Sequence, residues 1–170
     1  MAPVILVGLG GNLPSPEHGP PIRSLSAALK SLAARGVVPV RRSRWYETAP
    51  VPASDQPWFV NAVVSVETAL DPAALLTLLH AVESEFGRIR GAPNAARLID
   101  LDLLDYHGRV DTGWPVLPHP RLTERAFVLR PLLDVAPQWR HPVSGLEATA
   151  LLAALGDGQE IRLAGEARLP

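Results

Sequence analysis

Asp100-Leu101-Asp102-Leu103-Leu104 is the stretch of this 170-residue chain whose residue types most directly imply chemistry. Side chains alternate along a strand, so Asp100 and Asp102 share one face and Leu101 and Leu103 the other. With the leucines in the core, both carboxylates project together at a spacing of roughly 7 Å. Two like charges side by side repel unless a cation lies between them. Magnesium suits such a pair, because it is commonly held by one or two carboxylates together with substrate phosphates. A solvated polar face, each aspartate paired to an arginine, is the other reading of the same pattern, and at this point both stay open. In the loop ahead of the strand, Arg88, Arg90 and Arg97 cluster around Gly91, Pro93 and Asn94. Guanidinium forks for phosphate oxygens and carboxylates for a bridging metal are the two charges a nucleoside triphosphate needs. An exposed basic loop is the plainer alternative.

Further candidates flank this pair. Downstream come Pro118-His119-Pro120-Arg121 and Arg125-Ala126-Phe127; upstream, Asn61 follows Phe59 at the start of a strand. Each has a structural alternative: a satisfied histidine, a core phenylalanine, an asparagine that caps a turn. Several motifs are absent. Gly8-Leu9-Gly10-Gly11-Asn12-Leu13 lacks the third glycine of a dinucleotide fingerprint, no P-loop sequence occurs, and the five histidines show no His-Glu-x-x-His spacing.

The elements that must position these residues are legible from periodicity. Val4–Val7 is a short apolar run, expected as a buried strand ended by glycines. Ile22, Leu25, Leu29 and Leu32 follow helical spacing up to Gly36. Val37–Tyr46 and Val60–Val66 are expected as strands around the turn-rich stretch Thr48–Pro57. Asp71-Pro72 opens a second helix with Leu75, Leu79, Val82 and Phe86 on its apolar face and Gly87 at its end. Leu98–Tyr106 is the next strand, with His107-Gly108 as a hairpin tip and a return strand ending before Pro115. The last third is expected to be irregular apart from one helix from Ser144 through Leu155, with Ser144 and Glu147 at capping-box spacing. The order βαββαβ predicts a ferredoxin-like α+β fold, an antiparallel sheet with helices packed on one face and a carboxyl-terminal extension. Residues 1–170 are expected as a single domain, with 156–170 a peripheral tail.

Composition narrows the function. Sixteen basic against seventeen acidic residues give a formal net charge of -1, which disfavours a role held to nucleic acid or membrane by overall charge. Only Lys30 is a lysine, so any phosphate is gripped largely by arginine. The absence of cysteine removes disulfides, thiolate nucleophiles and zinc–cysteine sites together. The amino-terminal run carries no basic n-region, and no stretch approaches the ~20 apolar residues of a membrane helix, so a cytoplasmic address is expected.

Taken together, several segments resemble a known family. They are Gly10-Gly11-Asn12-Leu13, Tyr46-Glu47-Thr48-Ala49-Pro50, Asp55-Gln56-Pro57-Trp58-Phe59-Val60-Asn61, Glu83 with Gly87-Arg88-Ile89-Arg90, Arg97-Leu98-Ile99-Asp100-Leu101-Asp102, and Pro118-His119 with Arg125-Ala126-Phe127. Their order is similar to that of the 6-hydroxymethyl-7,8-dihydropterin pyrophosphokinases of folate biosynthesis, from about Val4 to about Pro142. The resemblance implies an ATP- and magnesium-dependent transfer of diphosphate to the pterin's hydroxymethyl group, with release of AMP. It implies two magnesium ions on Asp100 and Asp102. ATP would be bound by Glu83, Arg88, Arg90, Arg97, His119 and Arg125, with Arg88 and Arg97 catalytic alongside the aspartates. The pterin would meet Thr48, Val51, Phe59, Asn61 and Phe127. ATP and the pterin would be the only partners of a monomer, with no nucleic acid and no membrane. Pro93-Asn94-Ala95-Ala96 departs from the family in lacking the basic and aromatic residues that commonly precede the signature arginine.

Two other classes compete. A ferredoxin-like RNA-binding module would need an aromatic RNP1 strand, which is missing, and only 5% of residues are aromatic. A metal-dependent phosphohydrolase would need a water site in place of the slot formed by Asn61, Phe59 and Phe127.

Overall fold

The computed structural model describes residues 3–87 and 96–164. The chain begins with β1 (Ile5–Gly11), α1 (Pro21–Ala34), β2 (Val38–Arg42) and β3 (Tyr46–Thr48). β4 (Phe59–Glu67), α2 (Pro72–Glu85) and β5 (Asp100–Tyr106) follow, then α3 (Ala126–Val135), α4 (Ala148–Ala154) and β6 (Ile161–Leu163). The sheet runs β5-β1-β4-β3-β6, with β2 also on β4, and every pairing is antiparallel.

β1 does not stop at its glycines; it continues through Gly8, Gly10 and Gly11. Gly10 and Gly11 tolerate no side chain because neighbours lie against the strand. A Cβ on Gly10 would stand 2.7 Å from Asn61 Oδ1, and one on Gly11 would collide with the Leu98 carbonyl oxygen. The single strand expected over 37–46 is two, both paired along the same edge of β4. Ser43 makes the break. Its N–H donates to Val63 O (2.8 Å), but its hydroxyl, not its carbonyl, accepts from Val63 N (3.0 Å).

Both faces of the sheet are covered, not one. Ile5, Val7, Leu9, Val64, Leu101 and Leu103 point to α1 and α2, meeting Leu25, Ala28, Leu32, Leu75, Leu79 and Val82 in a sealed core. α2 starts as its sequence predicts, with Ala74 N–H donating to Asp71 Oδ1 (2.8 Å). Leu6, Val63 and Leu104 point the other way, into a second core with Val128, Leu129, Leu132 and Trp139. That second core contains α3, a helix absent from the sequence-based expectation, with Pro131 inside it. The helix expected from Ser144 begins only at Ala148, with Glu147 as N-cap. After the turn at His107-Gly108 no return strand forms; Asp111 and Leu117 make an isolated bridge instead. Among the described residues no helix is long and apolar enough to cross a membrane.

β5 carries one irregularity. Its pairing with β1 shifts between Leu6 and Val7, leaving Leu104 as an extra residue. Leu104 and Asp105 therefore both serve the α3 side, where buried Asp105 accepts from Trp139 Nε1 (2.7 Å).

Candidate active site

One row across the sheet explains where a ligand can sit. Gly10 pairs with Asn61 on one side and with Asp100 on the other, so the three share the α3 face. With strands about 4.8 Å apart, Asp100 and Asn61 stand about 9–10 Å from each other, separated by a residue with no side chain. The floor of the gap is backbone. α3 covers this face only over its other half, and the uncovered half is a cleft of about 510 Å³, open to solvent.

The cleft has two chemically different ends. At one, Asn61 is nearly buried and its Nδ2 donates to Thr48 Oγ1 (2.6 Å). Phe59 lies two residues before Asn61 on the same strand face, and Phe127 arrives from the first turn of α3; Val51 and Gln56 complete that wall. Two phenyl rings, an amide and a hydroxyl suit a flat, polar-edged heterocycle.

At the other end are Arg97, Asp100 and Arg125, with Asp102 next along the strand face. Arg97 donates to Asp100 Oδ2 (3.1 Å), and Arg125 stands 3.7 Å from Asp102 Oδ2. The Arg125 guanidinium also lies 5.4 Å from the Phe127 ring centre, joining the two ends. Burial pulls that guanidinium below its ordinary pKa, with Asp102 opposing the change. His119 sits nearby. Its backbone N–H donates to Leu104 O (2.9 Å), and burial, then the Arg125 charge, lowers its pKa to about 4. At neutral pH it is an uncharged imidazole.

Magnesium fits this end. Asp100 and Asp102 are partly exposed, their side chains at 23% and 30%, so both can reach an ion without burying charge. No group of three acidic or histidine ligands occurs among the described residues. That leaves the remaining coordination positions for phosphate oxygens and water, as magnesium prefers.

All five residues expected at the pterin thus line one cleft, together with Arg97, Asp100 and Arg125. Glu83 is placed differently. Its carboxylate is buried and accepts from Leu101 N (2.9 Å), satisfying an edge-strand amide from behind β5. Arg88 and Arg90 lie outside the described residues. One important residue went unsuspected. Asn12 Nδ2 donates to Gln56 Oε1 and Pro57 O (both 2.9 Å), while its Oδ1 accepts from Arg97 N (2.9 Å). A single buried amide thereby ties the heterocycle wall to the arginine end. In the sequence Asn12 stands only as a member of the segment Gly10-Gly11-Asn12-Leu13, with no role of its own assigned.

A family model for 7,8-dihydro-6-hydroxymethylpterin-pyrophosphokinase (HPPK) matches residues 6–137. A Methylorubrum extorquens protein named 2-amino-4-hydroxy-6-hydroxymethyldihydropteridine pyrophosphokinase is 41% identical over 133 residues, 77% of this chain and 81% of that protein. A Synechocystis protein of the same name is 39% identical over 142 residues, 82% of this chain and 70% of its own length. The folic acid synthesis protein of Pneumocystis carinii is 36% identical over 90% of this chain, which spans only 20% of that longer protein. Among solved structures, Plasmodium falciparum HPPK-DHPS with pteroate superposes with a TM-score of 0.71 at 14% identity, over 91% of this chain and 44% of that one. At that identity the match speaks for the fold alone.

Proposed function

The chain belongs to the HPPK family, and on that premise we propose that it transfers diphosphate from ATP to 6-hydroxymethyl-7,8-dihydropterin, releasing AMP, in folate biosynthesis. The observation that carries the reading is the joining of an aromatic–amide slot and an arginine–aspartate cluster in one cleft. Phe59 and Phe127 stack on the pterin, and Asn61 with Thr48 meets its polar edge. Arg97, Arg125 and His119, with Arg88 and Arg90, hold the triphosphate. Glu83 acts at this end through the β5 amide that it secures. Asp100 and Asp102 hold two magnesium ions. Magnesium there supplies charge neutralisation for the triphosphate and lowers the pKa of the attacking hydroxyl. The chain's own part is position: two substrates kept adjacent for in-line attack need no protein nucleophile.

The strand order β5-β1-β4 with β2 and β3 at the far side supports a ferredoxin-like core extended by α3, α4 and β6. A single catalytic unit, a monomeric state and a cytoplasmic address belong to the same proposal. The test is incubation with ATP, magnesium and the hydroxymethyl pterin. AMP formed only when pterin is present is the expected result; inorganic phosphate without pterin would mark a hydrolase instead.

A further inference from the structure

The tail after α4 makes contacts on both walls of the cleft. Gln159 Nε2 donates to Glu124 O (2.8 Å), and its Oε1 accepts from Ala126 N (2.9 Å). These two backbone groups bracket Arg125, whose own side chain does not cap α3. One carboxamide therefore satisfies the first amide of α3 and fixes the turn that launches Arg125 and Phe127 into the cleft. The next residues hold the opposite wall. Ala49 N–H donates to Glu160 O (3.1 Å), and Ile161 pairs with Thr48 in the β6–β3 ladder. Arg162 Nε adds a bond to Glu47 Oε2 (2.8 Å), and Ala164 N–H donates to Trp45 O (3.0 Å).

Three consecutive residues thus grip two separate parts of the site, which otherwise come from segments nearly eighty positions apart in the chain. Thr48 orients Asn61, and Arg125 lies against Phe127. Moving either wall changes the width of the slot and the aim of these groups together. We propose that Gln159–Ile161 is a clamp that sets the spacing of the heterocycle slot, with Gln159 a positioning residue for Arg125 and Phe127. This rests on the pterin reading given above.

The test compares the full-length protein with Gln159→Ala and Gln159→Glu. Losing both hydrogen bonds should raise the KM for the pterin about 5- to 10-fold through Phe127, and the KM for ATP as well through Arg125. Gln159→Glu keeps the acceptor for Ala126 N–H at a helix start that favours negative charge but loses the donor to Glu124 O, and should recover part of the loss. Hydrogen exchange is the second readout. Protection at Ala126 should fall in Gln159→Ala and return in Gln159→Glu. Both KM values intact in Gln159→Ala, whatever its melting temperature, would overturn the clamp. A wild-type protein that forms no AMP defeats the functional reading instead. The exchange pattern at Ala126 then still decides whether Gln159 holds the wall.

Discussion

The two faces of the central sheet are built by the same strands and end up with opposite properties. Toward α1 and α2 the face is apolar and closed over β1, β5 and the part of β4 beside them, with Leu101 and Leu103 among buried aliphatic neighbours. Toward α3 it is closed only where Leu6, Val63 and Leu104 lie, and open where Asp100, Gly10 and Asn61 form a row. Alternation along β5 puts residues of the two kinds one position apart. The cleft is accordingly not an addition to the fold. It is the half of one sheet face that no described helix seals, floored by Gly10 and rimmed by Asp100 and Asn61.

Neighbouring substitutions on β5 give the sharpest test. Asp102→Asn should lower turnover on the order of 100-fold or more, the scale of losing one contact to developing charge, while the melting temperature barely moves. Near-normal turnover in saturating magnesium would break the comparison. One position back, Leu101→Ala should do the reverse: about 2–5 kcal/mol of stability lost by denaturant titration, with activity per folded molecule kept. A small stability loss there would mean that the α1–α2 face is not sealed. The mildest effect belongs within the cleft. Phe127→Ala should weaken pterin binding about 2- to 10-fold by calorimetry and leave ATP binding nearly unchanged. Phe127 already packs against the second core, and equal weakening of both ligands would mean that it acts through that packing and not by stacking on the pterin.

The closed face was the legible one. Its strands alternate or run apolar, and its helices carry the Asp71-Pro72 start and the glycine ends that local chemistry requires. The open face was legible in residue types but not in architecture. α3 was hidden because Pro131 lies in its interior, where a proline ordinarily argues against a helix; packing of Val128, Leu129 and Leu132 on the sheet outweighs that signal. β6 has three residues and exists by pairing with β3, so nothing local announces it. The Asn12 bonds span 44, 45 and 85 positions, beyond the reach of any periodicity. Residue spacing could put Asp100 and Asp102 on one face, yet only the fold assigns Arg97 to the first and Arg125 to the second.

The irregularity at Leu104 has a consequence for how this strand can change over generations. Because Leu104 is supernumerary to the β1 ladder, removing it would leave Asp100 and Asp102 in phase with Gly10 and Gly8, and Asp105 opposite Leu6. The frame of the strand is thus indifferent to that codon. The Leu104 side chain itself lies over Gly8, where a Cβ would meet it at 3.4 Å, an ordinary contact distance. Asp100 and Asp102 thereby keep their places opposite Gly10 and Gly8 whatever stands at position 104.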